Sequence, residues 1–80
     1  MLMTQFKHIG ADPDILGGKP ILTGTRISVE LIMEWVASGA TPDAIVAKYP
    51  HINREAVQEA ILYSAASVKN EILLEIKLAA

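Results

Sequence analysis

The sequence predicts a mainly α domain: three helices of homeodomain-like, helix-turn-helix type, preceded by a short N-terminal β-hairpin block and ended by a C-terminal strand. Three observations carry this. Before Ser28 the chain is rich in Gly, Pro and Asp with apolar residues in short clusters, whereas after it apolar residues recur at helical spacing. Two start signals, Thr41-Pro42-Asp43 and Asn53, open a pair of helices whose spacing fits a helix-turn-helix. From Glu71 the stretch EILLEIKLAA alternates with a period of two. Residues 1–27 are thus read as strands and turns, 28–70 as the helical core with the helix-turn-helix at about 41–66, and 71–80 as a tail.

At 80 residues the chain is one small domain, yet 51% of it is hydrophobic. So small a domain has too much surface for its volume to hide that much apolar area. Part of it is expected to be covered by a second chain, in a homodimer or against a tight partner. There is no cysteine, and hence no disulfide framework or thiolate metal site. No apolar run approaches the ~20 residues that cross a bilayer, and MLMTQFKHIG lacks the apolar centre of a signal peptide. A cytoplasmic protein without membrane contact is the expectation. A net charge of −2 argues against indiscriminate nucleic-acid binding but permits a local basic face.

The N-terminal stretch GGKPILTGTRIS, Gly17 to Ser28, raises the question of a phosphate loop. That motif needs GxxxxGK[ST] opening a helix. Here Pro20 follows Lys19, removing an N–H and biasing Lys19 away from helical geometry, and Gly24-Thr25-Arg26 has no lysine. Instead, Ile15-Leu16 and Ile21-Leu22 read as short strands separated by a Gly17-Gly18 turn and closed by Thr23-Gly24. Lys19 is then structural, and Arg26 is either structural or a contact across a dimer interface. Asp12 and Asp14 flank Pro13 as turn formers rather than as a metal pair. His8 and His51 stand in different contexts, without a third ligand at metal spacing. Neither Ser28 nor Ser64 has an identifiable base. No catalytic residue, cofactor, metal or small-molecule substrate is expected, and the chain is not expected to be an enzyme.

Ser28 caps the first helix, with Glu30 in the first turn where the helix dipole favours an acid. Val29, Ile32, Met33 and Val36 form its inner face, Leu31 and Trp35 a second ridge, and Gly39 stops it. Thr41 caps the second helix with Pro42 at its first position, and Pro50 confines it to end near Lys48. Asn53 caps the third, whose inner face is Val57, Ala60, Ile61 and Ser64. Ala47, Ile52, Asn53 and Val57 stand at the offsets a helix-turn-helix assigns to a small helix residue, a turn aliphatic, a cap and a buried aliphatic. His51 stands where the turn often carries glycine. On the third helix Arg54, Glu55, Gln58 and Glu59 are expected to be exposed. Arg54 and Gln58 suit guanine and adenine edges, while Lys48 and Asn53 suit phosphates. Glu55 and Glu59 oppose a polyanion, so a packing or protein-binding role for the unit stays open.

In the tail, Ile72, Leu74, Ile76 and Leu78 alternate with Leu73, Glu75, Lys77 and Ala79. The period favours a strand after a third helix ending near Lys69 or Asn70. Such a terminal strand would pair with the N-terminal strands, a second copy or a partner, through those four aliphatic residues. The alternative is that the third helix runs on, since Leu, Glu, Lys and Ala all favour helices.

Taken together, the Asp12-Pro13 pair, Gly17-Gly18-Lys19-Pro20, the Ile-Leu-Thr-Gly-Thr-Arg-Ile run from Ile21 to Ile27, and Tyr49-Pro50 ahead of the last helix resemble the bacterial domain-of-unknown-function family numbered 433. The resemblance covers about Ile9 to Ala66. It implies a homeodomain-type helix-turn-helix and a similarity to antitoxins of type II toxin–antitoxin modules, whose partner is a PIN-like ribonuclease toxin. In that class an antitoxin dimer binds its operator DNA while a terminal segment blocks the toxin. The family assigns no catalytic residues, so none carry over to this chain.

Overall fold

The computed structural model describes the backbone of residues 6–79 and the side chains of residues 6–68. Two short strands, β1 (Ile9–Gly10) and β2 (Ile21–Leu22), pair antiparallel with Ile9 opposite Leu22 and Gly10 opposite Ile21. Three helices follow: α1 (Val29–Ala37), α2 (Pro42–Lys48) and α3 (Arg54–Ala79).

The partner of β2 is Ile9–Gly10 and not Ile15–Leu16, which corrects the hairpin expected from sequence. Asp12 and the glycines account for this. The Asp12 Oδ1 accepts the Asp14 N–H at 2.8 Å, and the Asp12 carbonyl accepts the Ile15 N–H at 2.9 Å. Leu16, Gly17 and Gly18 then take φ of 51°, 68° and 87°. Three left-handed residues in succession cannot belong to a strand, and two of them need glycine to be unstrained. The segment curls, returning the chain so that β2 meets β1.

The helix starts follow the cap residues. Ser28 Oγ accepts the Leu31 N–H at 3.0 Å and Thr41 Oγ1 accepts the Ala44 N–H at 3.1 Å. Asn53 Oδ1 accepts the Glu55 N–H at 2.7 Å at the start of α3. At the end of α1, Gly39 takes φ 103° and its N–H donates to the Val36 carbonyl at 2.9 Å, while the Ala40 N–H reaches the Trp35 carbonyl at 3.0 Å. This is the Schellman arrangement, which uses carbonyls the helix leaves unpaired.

The core gathers Phe6, Ile9 and Leu22 from the N-terminal block, Val29 and Ile32 from α1, Ile45 from α2, Ile52 from the turn, and Ala56, Val57 and Ala60 from α3. Leu22, Ile32 and Val57 are its fully buried large side chains. Aromatic contacts tie its edges. Phe6 meets Tyr63 edge-on with ring centroids 5.5 Å apart, and Trp35 stacks on Tyr49 at 4.9 Å, fixing α1 against the turn after α2. Ile52, Asn53 and Val57 fill the roles that the helix-turn-helix spacing assigned them. Ala47 does not, for it is exposed, and Ile45 is the residue through which α2 enters the core.

The tail also differs from the expectation. α3 does not stop near Lys69 or Asn70 but continues as helix to Ala79, 26 residues in all, so the backbone of 71–79 forms no strand. Helix-favouring residues follow Asn70 with no Pro or Gly to break the helix, and its hydrogen bonds extend one residue at a time without the cost of a new nucleus. Residues two apart in a helix are separated by about 200°, so Ile72, Leu74, Ile76 and Leu78 do not make one stripe along it.

Burial decides what a truncation costs here. Ile32→Ala should lower stability by about 2–5 kcal/mol, whereas Leu62→Ala, on the exposed side of α3, should change it by no more than about 0.5 kcal/mol. Urea unfolding of the two variants measures this. Equal midpoints for both would mean that α1 does not pack on α3 as described.

Candidate functional site

The surface expected to meet nucleic acid is built at the junction of α2 and α3. Lys48 ends α2, Asn53 and Arg54 open α3, and Gln58 lies one turn beyond Arg54 on the same side. All four are exposed. Each of the first three has an intramolecular engagement. The Lys48 ammonium lies 5.8 Å from the centre of the Tyr49 ring, and the Asn53 oxygen is occupied as a helix cap. Arg54 Nε donates to Asp43 Oδ1 at 2.6 Å, joining the first turns of α2 and α3. With Asp43 and Arg54 side chains 78% and 56% exposed, that pair sits in water and contributes little to stability. Two cations, Lys48 and Arg54, therefore share the surface with two acids, Asp43 and Glu55. A surface so balanced has little net pull on phosphates.

Glu59 is not on this surface, contrary to the sequence reading. Its side chain is only 18% exposed, and its Oε1 accepts the His8 backbone N–H at 2.9 Å. The His8 ring lies between Glu59 and Glu55, with Nε2 at 3.9 Å and 3.5 Å from their carboxylates. Nε2 is buried and has no hydrogen-bond partner among the described residues. This clamp holds the N-terminal segment onto α3. Sequence reasoning missed it because the 51-residue separation of His8 and Glu59 leaves no local signal.

Two large apolar residues of α3, Leu62 and Val68, are 53% and 46% exposed, and lie on different sides of the helix. A groove of about 320 Å³ beside Val68 runs between α3 and the start of α1, with Pro20, Val29 and Tyr63 among its walls. The backbone of Ile72, Leu74, Ile76 and Leu78 continues this helix, while their side chains lie outside the described residues.

Lys19 and Arg26, the two cations of the glycine-rich block, part ways. Lys19 Nζ meets Glu30 Oε1 at 2.7 Å, joining the block to the first turn of α1 by a solvent-exposed pair. Arg26 is exposed and has no ion pair among the described residues, so its structural role within the chain is not seen. Nor do three His, Asp or Glu side chains converge as metal ligands among those residues, and no described helix is long and apolar enough to cross a membrane.

Comparison with known proteins places the chain. A family model described as "Protein of unknown function (DUF433)" matches residues 9–64, and the chain belongs to that family. It is 32% identical over 59 residues to "Uncharacterized protein y4eO" of Sinorhizobium fredii (strain NBRC 101917 / NGR234). That match covers 74% of this chain but 27% of the relative, so the chain spans about a quarter of the length of that protein. Among solved structures it is similar to the crystal structure of a DUF433 member from Anabaena variabilis. The TM-score is 0.70 at 28% identity, over 94% of this chain and 72% of that one.

The Lys19–Glu30 pair has a pH signature. The hydrogen bond from Lys19, and then its charge, hold the Glu30 carboxyl below its ordinary value, and the same bond raises Lys19. The pair's contribution is present above the carboxylate range of the unfolded chain and is lost as pH falls through Glu30's lowered value. At the alkaline end it is lost as pH rises through Lys19's raised value. Lys19→Met should return the Glu30 carboxyl to its ordinary titration, followed by carbon-detected NMR. An unchanged Glu30 titration would show that the pair is not formed in solution.

Proposed function

We propose that the chain is a non-enzymatic antitoxin-type protein that neutralises a PIN-like ribonuclease by direct binding through α3. The observation that carries this reading is the length of α3. Its described core contacts fall between Ala56 and Tyr63, yet the helix runs on to Ala79. At 1.5 Å per residue, the 16 residues that follow Tyr63 extend it by roughly 24 Å. A helix carried that far, with exposed Leu62 and Val68 on it, suits capture in a partner's groove or pairing with a second copy. The class of partner is the one that the sequence resemblance implies. Homodimer formation belongs to the same reading, since the apolar share of so small a chain calls for a covering surface.

The α2–α3 junction favours an interaction module that does not read DNA over an operator-binding one. Arg54, the best candidate for a base contact, is paired with Asp43 at the surface, and that surface carries as many acids as bases. The chain alone should protect no site in a fragment of its own promoter at about 0.15 M salt. A footprint that weakens on Arg54→Ala or Gln58→Ala would restore operator reading.

A chain truncated after Asn70 tests the main reading. It keeps every described core residue and should unfold within about 1 kcal/mol of the full chain, because no described core contact is removed. It should also fail to inhibit RNA cleavage by a co-encoded PIN-like ribonuclease, which the full chain should inhibit in stoichiometric proportion. Full inhibition by the truncated protein would remove α3 from the role, and no inhibition by the full chain would remove the antitoxin reading itself.

A further inference from the structure

The glycine-rich block that marks the family also builds a cavity on the side of the sheet away from the helices. Ile9 and Leu22, opposite each other in the ladder, join the helical core. Gly10 and Ile21, the next pair, must point the other way, because side chains alternate across a strand. Ile21 is only 4% exposed and yet lies outside the helical core. With Ile15 it lines a cavity of about 520 Å³, bounded by Gly10, Thr23, Gly24 and Arg26. That is within the volume range of ligand sites.

Backbone geometry keeps this space open. Gly10 stands opposite Ile21 without a side chain, and a Cβ there would meet Thr23 Oγ1 at 3.3 Å. The far wall is a firmly tied turn. Thr25 N–H and Oγ1 both donate to the Leu22 carbonyl, at 3.0 and 2.7 Å, and Thr25 Oγ1 accepts the Ile27 N–H at 3.0 Å. Gly24 takes φ 81° to make that turn, a conformation other residues rarely adopt. Arg26 is thereby carried to the rim on a preorganised loop.

Arg26 and Asp12 bring one charge of each sign to the lining, and no ion pair joins them. Lys19 and Arg54 each have a carboxylate partner, while Arg26 has none among the described residues. Asp12, the acid lining the cavity, turns one oxygen back to its own loop, capping the Asp14 N–H. A guanidinium beside an apolar floor suits a carboxylate attached to an aliphatic group, since the planar fork can donate two parallel hydrogen bonds. Thr23, Gly24 and Ala11 are exposed, so the mouth opens to solvent and admits a protruding segment.

We propose that this cavity binds an extended peptide segment of a partner protein, seating an aliphatic side chain against Ile15 and a neighbouring carboxylate on Arg26. The site is separate from α3, and it stands or fails independently of the antitoxin reading.

Two peptide sources share this chemistry, a glutamate side chain and a chain terminus. The full chain, labelled with nitrogen-15, is titrated with N-acetyl-Leu-Glu-amide, N-acetyl-leucine and N-acetyl-leucinamide while amide resonances are followed. At least one of the two carboxylates should shift Gly10, Thr23, Gly24, Thr25 and Arg26 at saturation, and the one that binds identifies the source. The uncharged amide should bind roughly tenfold more weakly or not at all, as should the carboxylate to Arg26→Gln. The melting temperature of Arg26→Gln should match the parent, because Arg26 makes no ion pair among the described residues. Gly10→Ala supplies a second variant that narrows the cavity and should weaken binding with Arg26 intact. No shift with either carboxylate, equal binding of the amide, or shifts confined to residues away from the cavity would each overturn the assignment.

Discussion

Everything in this fold depends on one stripe of α3 being narrow enough to approach. Ala56, Val57 and Ala60 lie on that stripe, and two of the three are alanine. Small side chains let the sheet, α1 and α2 come to a common centre, where Leu22, Ile32 and Val57 are fully buried. None of the other elements could persist alone. The strands are two residues long, and α1 and α2 have nine and seven residues, below the length at which isolated helices hold in water. Each is stable only because it finds α3. The His8–Glu59 hydrogen bond and the Phe6–Tyr63 contact extend the same dependence to the N-terminal segment.

That dependence rests on only part of a single helix. The first ten residues of α3 supply the described core contacts, and the helix then continues far past them. The junction with α2, where a DNA-reading unit would present its recognition residues, is instead engaged in local bonds: an ion pair, a cap and a cation–ring contact. Burial of Glu59 also removes one acid that sequence alone placed on that surface. Among the described residues, Leu62 and Val68 on α3 and the unpaired Arg26 are exposed.

Legibility in the sequence followed the range of the interaction. Ser28, Thr41 and Asn53 act within three residues, and all three capped where expected. Gly39 ended α1 by a bond pattern equally local. Prediction failed where a signal was short or degenerate. Ile9–Gly10 is too brief to show a strand period, while Ile15–Leu16 looked like one until three left-handed residues turned the chain. The alternation from Glu71 fits a strand by pattern and a helix by propensity, and continuity with α3 decided it. Ala47 matched a motif offset, but the contact it implied falls to Ile45. The cavity beside Arg26 was hidden for another reason. Its residues were recognised as a family signature, but only the register of β1 against β2 puts Gly10 opposite Ile21 and opens the space.

The central claim is that α3 folds the domain with its first half and meets a protein partner with its second. Amide hydrogen exchange on the full chain, with and without a PIN-like ribonuclease of the kind proposed as its partner, tests it most directly. The account predicts that Ala56, Val57 and Ala60 are among the slowest amides in both states. It also predicts that the partner adds protection over 69–79 and leaves Lys48, Asn53, Arg54 and Gln58 unchanged. Added protection confined to those four residues, with 69–79 unaltered, would contradict it.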